Sequence, residues 1–294
     1  MMRRLCLVLL AVPAVIMLSG GTFVEASFAQ TSPTLKKIAD RGAIVIGHRE
    51  AAVPFSYLDQ NQKPVGFSID LCLKIADAVK DELKKPDLRI DYVPVTPQTR
   101  FAMLANGTVD LECGSTTNTF ARQSQAAFTF TTFITGTKIL VRTNSGIKSV
   151  DDLGGKTLVV LPGTTNEQAL KAYIDQKKMN TRIINVREHP EALLAMETDR
   201  ADAYGSDDVL LYSQRARAKN PGQYAVVGEF LTYDPYAIMI PRNDSAFATV
   251  ADKAVAKTFR DGSFMQAYKK WFDPLGLPLN PLLEAAIRLQ ALPD

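Results

Sequence analysis

Asp110-Leu111-Glu112-Cys113-Gly114-Ser115-Thr116-Thr117-Asn118-Thr119-Phe120-Ala121-Arg122 is the stretch from which the rest of this chain is read. A short apolar strand, Val109 to Leu111, ends near Gly114, and a hydroxyl-rich turn leads to an arginine. Such a turn offers free backbone N–H groups and several hydroxyls, and Arg122 adds a planar fork of donors. Both suit a carboxylate, and the fork meets it two bonds at a time. Taken alone, the run also fits a capped helix start with a solvated arginine. The carboxylate reading is preferred because the features on either side agree with it.

Outward from this turn, strand-like and helix-like segments alternate. Strands are predicted at Ala43 to Gly47, Leu88 to Val95, Val109 to Cys113, Lys138 to Val141, Leu158 to Leu161, Arg182 to Val186, Ala201 to Gly205 and Tyr236 to Ile240. Between them, Ile69 to Val79 has helical spacing, with Leu71, Ile75, Ala76 and Val79 on one face. Further helices are predicted from Arg100, from Pro190 to Glu197, from Val209 to Ala218, and from Ala246 to Trp271, whole or broken. Thr164-Thr165-Asn166-Glu167 reads as a capping box. Alternation with short connections implies an α/β protein with parallel sheets and crossover helices.

The element count favours two sheets. β-Rich aromatic stretches without helical spacing, Phe128 to Ile134 followed by Gly136, and Glu229 to Tyr236, read as two crossings between lobes. The expected division is residues 30–135 and 233–294 in lobe 1 and 136–232 in lobe 2. The tail from Asp273, with prolines at 274, 278 and 281, is expected to be loosely attached, with a short helix over Leu282 to Leu289.

The chain opens with Arg3 and Arg4, an apolar run from Leu5 to Leu18 interrupted by Pro13, then Gly20, Gly21 and Ala26-Ser27-Phe28-Ala29. That order is a secretory signal peptide over residues 1–29, cut after Ala29, and the apolar run is too short to span a bilayer. The expectation is an exported, periplasmic protein. Removal of Arg3, Arg4 and Glu25 leaves 32 basic against 30 acidic residues, a net charge of +2 rather than the +3 of the whole chain. So balanced a charge argues against nucleic acid as a partner. Cys72 and Cys113 remain after cleavage; one disulfide and two buried thiols are both open readings. His48 and His189 are the only histidines and no cysteine has metal-ligand spacing, so no metal or other cofactor is expected.

Gly47-His48-Arg49-Glu50, Val53-Pro54-Phe55-Ser56-Tyr57, Lys85-Pro86-Asp87-Leu88, Glu112 to Asn118 and Gly163-Thr164-Thr165 together resemble the amino-acid-binding proteins of ABC importers (solute-binding protein family 3), in their glutamate/aspartate-binding branch. The resemblance runs from about residue 35 to Lys270-Trp271-Phe272. It implies a two-lobed, periplasmic-binding-protein type II fold hinged on two crossing strands, closing over L-glutamate or L-aspartate as a monomer and delivering it to a membrane ABC permease. Carried over by motif, the α-carboxylate would meet Arg122, Thr117, the Ser115 backbone and Thr165. The α-ammonium would meet Asp207 and the Ser115 carbonyl, and the distal group Arg49, Arg100 and His189. A fixed arginine fork at position 49 suits a second carboxylate and repels cationic ligands.

Each residue also has a plainer reading. Arg49 could be a surface residue after a strand, and Phe55 could be core rather than cavity wall. His189 could be a helix cap or a solvated loop residue, and Asp208 rather than Asp207 could be the ligand contact. The branch commonly has a serine where this chain has Pro97, which offers neither hydroxyl nor N–H; Gln98 and Thr99 are the neighbours able to replace it. The alternative function is an enzyme on the same fold, similar to cyclohexadienyl dehydratases, with Glu50 or Glu197 as its general acid.

Overall fold

The computed structural model describes residues 32–293; the signal-peptide reading of residues 1–29 lies outside the described residues. β1 (Ala43–His48) is followed by a small antiparallel sheet of β2 (Ala51–Ala52), β3 (Ser56–Leu58) and β4 (Pro64–Val65). β5 (Arg89–Pro94), β6 (Leu111–Cys113) and β7 (Ala127–Thr135) precede β8 (Thr137–Arg142), β9 (Thr157–Val160), β10 (Arg182–Asn185), β11 (Ala203–Asp207), β12 (Tyr224–Val227) and β13 (Asp234–Ile240).

Ten of these strands form two five-stranded sheets, in the orders β5-β1-β6-β13-β7 and β10-β9-β11-β8-β12. The all-parallel expectation needs correction. β1 pairs parallel with β5 and β6, and β9 parallel with β10 and β11. β13, however, is antiparallel to both of its neighbours, and so is β8. The reversed strand in each sheet is the one by which the chain arrives directly from the other sheet. It therefore enters from the end opposite to that of a strand fed by a crossover helix.

The two crossings touch. Leu231 N donates to Thr137 O at 3.0 Å, and the Thr232 hydroxyl lies 2.7 Å from Thr137 Oγ1. A Cβ at Gly136 would stand 2.2 Å from Thr232 O, so only glycine lets the strands pass this closely.

Every residue of β1 is buried, as expected of a strand covered on both faces. The helix Phe67–Leu83 buries Leu71, Ile75, Ala76 and Val79, the face its spacing predicts, and Cys72 beside them. Its Cys72 is joined to Cys113 of β6 by a disulfide with Cα atoms 6.3 Å apart, which closes the alternative left open by the sequence. Phe55 is core: its ring packs edge-on against Phe67, Phe133, Tyr236 and Phe272. Each such ring contributes about 1.5–3 kcal/mol by burial, and its pairs somewhat more.

The C-terminal helical region is a broken pair, Ser245–Asp261 and Ser263–Phe272, interrupted at Gly262 with φ +78°. The loosely attached tail is a second correction. The helix Pro281–Gln290 buries Leu283 and Ile287 in the core, and Gln290 Oε1 accepts from Thr131 N of β7 at 2.7 Å. Leu283 and Ile287, four residues apart, supply an apolar face that covers one side of β7.

Candidate functional site

In open α/β sheets, ligand-contacting residues gather beyond the carboxyl ends of the parallel strands. Arg49 follows β1 directly, and Arg100 opens the helix Arg100–Ala105 that comes after β5. Ser115 and Thr117 lie in the turn after β6, and Arg122 in the helix Phe120–Gln123, whose N-cap Thr119 accepts from Arg122 N. From the second sheet, β9 leads to Thr165, β10 to His189, and β11 ends at Asp207. Thr164 accepts from Glu167 N at 3.1 Å, the only half of the expected capping box that forms, and orients a helix N-terminus inward.

These eight side chains line one cavity between the lobes, enclosing with its mouth about 270 Å³ of space not filled by protein atoms. Thr164, Asn166, Ser206 and Leu210 complete its wall. The sequence reading missed these four as wall residues. Thr164 and Asn166 flank an assigned threonine and Ser206 precedes Asp207, so adjacency was the available signal; Leu210 carried none.

The lobes are joined directly around the cavity. Arg122 Nη1 donates to Thr117 O at 3.0 Å, while its Nη2 reaches across to Gly163 O at 3.1 Å. The Thr117 and Thr165 hydroxyls lie 3.2 Å apart, and Arg49 Nη2 meets Glu188 Oε2 at 2.6 Å. Arg100 donates to Thr116 Oγ1 at 2.6 Å, and that hydroxyl donates in turn to the buried Glu112 at 2.5 Å. A Cβ on Gly114 would lie 2.2 Å from Glu112 Oε1 and 3.0 Å from Arg49 Cγ, so the glycine of the opening motif makes room for both charged groups.

Among the described residues, several charged atoms here have no partner within the protein. Arg49 Nε, Arg100 Nε and Asp207 Oδ1 are all buried and unbonded. Burial lowers the Arg100 guanidinium to about 9, with Glu112 opposing, so it still carries its charge at neutral pH. Burial also lowers Arg122, against the pull of Asp234. Asp207 is pushed up to about 7 by burial and by Asp234, although the Tyr236 hydroxyl holds its other oxygen. His189 is held well below its usual range by burial and by Arg49, and is therefore neutral. Its Nδ1 is paired with the Tyr204 hydroxyl.

The plainer readings separate cleanly. Arg49 is 1 % exposed and is no surface residue. His189 is the first helical residue and buried, neither cap nor solvated loop. Asp208 lies outside the wall, accepting from Thr135 Oγ1 and from Val209 N. Gln98 and Thr99 are exposed and line no part of the cavity, so neither replaces the missing serine. Glu50 and Glu197, the acids an enzyme would have used, are also absent from the wall.

Two α/β lobes joined by two crossings, closing on a cavity lined by buried charged side chains, define a two-lobed solute receptor. Residues 44–274 match the bacterial extracellular solute-binding proteins, family 3, and the chain belongs to that family. It is 45 % identical to the L-glutamate/L-aspartate-binding protein of Pseudomonas aeruginosa over 88 % of each chain. It is 43 % identical to the glutamate/aspartate import solute-binding protein of Escherichia coli K12, covering 81 % of this chain and 79 % of that one. Among solved structures, an ancestral arginine-binding protein bound to glutamine has a TM-score of 0.71 at 28 % identity, covering 79 % of this chain and 98 % of the other. With these relatives the chain is an extracytoplasmic binding protein rather than an enzyme, and the dehydratase alternative is set aside.

Proposed function

We propose that the cavity captures an acidic L-amino acid, glutamate or aspartate, and that the closed protein hands it to a membrane ABC permease. The protein would act as a monomer in the periplasm after loss of residues 1–29, with lobes spanning about 30–135 plus 233–294, and 136–232. The observation that carries this reading is a set of buried charged side chains lining one cavity, each with an atom left without a hydrogen-bond partner. Arg49, Arg100 and Asp207 all line that cavity, and Arg49 Nε, Arg100 Nε and Asp207 Oδ1 are buried without hydrogen-bond partners. A buried charged group with an unmet hydrogen-bonding atom is costly, and a ligand with two carboxylates and an ammonium complements all three side chains.

In this reading Arg122, Thr117, Ser115 and Thr165 hold the α-carboxylate, with the dipole of the helix Thr165–Gln176 adding to the attraction. Asp207 and the Ser115 carbonyl hold the ammonium. Arg49, Arg100 and neutral His189 receive the distal carboxylate, and each charge-assisted bond contributes roughly 1.5–3 kcal/mol. Because both lobes hold the ligand, its binding favours the closed state. The names of the glutamate/aspartate-binding relatives support the same ligand class.

The test is calorimetric titration of protein unfolded and refolded to strip carried-over ligand, with glutamate, aspartate, glutamine and arginine. One-to-one binding of an acidic amino acid and none of arginine is expected. Binding of none of the four would overturn the proposal.

A further inference from the structure

Glu188 is not among the residues that line the cavity. It occupies the N-cap position of the helix His189–Glu197, yet its side chain caps no backbone group. Instead its carboxylate crosses between the lobes to Arg49 Nη2 at 2.6 Å, with side chains 18 % and 1 % exposed. Arg49 thus has one edge satisfied by the protein's own carboxylate, while its Nε remains buried and unpartnered. Glu50 and Glu191 are the other charges near Glu188, and Arg49 is the cation that offsets its burial.

We infer that Glu188 stands in for a ligand's side-chain carboxylate on Arg49, and so sets how strictly the cavity discriminates acidic from neutral amino acids. The inference rests on the reading of the cavity as an acidic amino-acid site. When the lobes close on an amino acid with no distal charge, Glu188 keeps Arg49 paired. Without Glu188, closure around a neutral side chain leaves a buried cation uncompensated, which is the costly outcome of breaking such a pair from one side. Closure around glutamate still pairs Arg49 through the ligand. Glu188 therefore acts through Arg49, as a residue that broadens specificity and also links the lobes when no ligand is present.

The test uses Glu188→Ala and Glu188→Gln in the full mature chain. Glutamate affinity is measured directly, glutamine by displacement of glutamate, and the ligand-free radius of gyration by small-angle X-ray scattering. Glu188→Ala should weaken glutamine by about tenfold or more and glutamate by less than about threefold, raising the selectivity ratio. Glu188→Gln, which keeps shape and an acceptor but removes the charge, should move the ratio in the same direction. The ligand-free Ala variant should be more open than wild type. Equal weakening of both ligands, no glutamine binding by wild type, or unchanged ligand-free scattering would overturn the inference. If wild type binds neither amino acid, the acidic-ligand reading fails, while the scattering still reads the ion pair by itself.

Discussion

The Tyr236 hydroxyl donates to Asp207 Oδ2 at 2.5 Å, tying the strand that re-enters the first sheet to the end of a strand in the second. That bond fixes the carboxylate and leaves Oδ1 as its one buried, unpaired atom. The bond places beside the hinge the carboxylate proposed to hold the ligand's ammonium.

Asp207 gives the binding equilibrium a pH dependence of definite sign. Its carboxyl is raised to about 7, by burial first. Holding an ammonium requires the ionised form and lowers that value on binding. Affinity should therefore be full above about pH 7 and fall as pH drops below it, approaching tenfold per pH unit. Calorimetry from about pH 5.5 to about pH 8.5 checks this window on both sides of the shifted value; Asp207→Asn should bind weakly with a flat profile. A wild-type profile that is flat over that range would remove Asp207 as the ammonium partner.

If Arg122 holds the α-carboxylate, as proposed, it should be indispensable to every amino-acid ligand, because that is the part they share. It also joins the lobes through Gly163 O. Loss of two charge-assisted bonds at roughly 1.5–3 kcal/mol each predicts at least about a hundredfold loss for Arg122→Ala. Retention of affinity within about one decade excludes the clamp role.

Arg49 should decide the ligand class. Arg49→Asp replaces a buried cation by an anion beside Glu188, so acidic ligands should be rejected and amide or cationic ones relatively favoured. The ratio of glutamate to glutamine affinity reads this directly, and an unaltered ratio would show that the distal carboxylate lies elsewhere.

The Cys72–Cys113 bridge closes a loop with a sequence separation of 41 residues between a helix and a strand of the first lobe. Loop-closure entropy for that length corresponds to about 4 kcal/mol of stability. Reduction, or Cys72→Ser with Cys113→Ser, should lower the melting temperature by several degrees in calorimetry while leaving the cavity residues in place. An unchanged thermogram after full reduction would show that packing alone holds the two elements.

Local rules make much of this protein legible in its sequence. The 3.6-residue spacing of Leu71, Ile75, Ala76 and Val79, together with the apolar strands, determines the α/β alternation, because periodicity reports which face meets a core. The glycine-and-hydroxyl turn ending in Arg122 points to the cavity wall, where Ser115, Thr117 and Arg122 lie, because few residue types offer a planar fork of donors. All eight residues singled out in sequence do line the cavity. Distances between segments remote along the chain are decided only in three dimensions. The Cys72–Cys113 bond, the docking of Leu283 and Ile287 onto the core, and the reversed strands β8 and β13 each depend on how the elements of the two sheets meet. The same is true of Arg49 with Glu188, 139 positions apart, and Tyr236 with Asp207, 29 apart. A sequence records which charges are available; closing two lobes removes water from them and decides which are paired with one another.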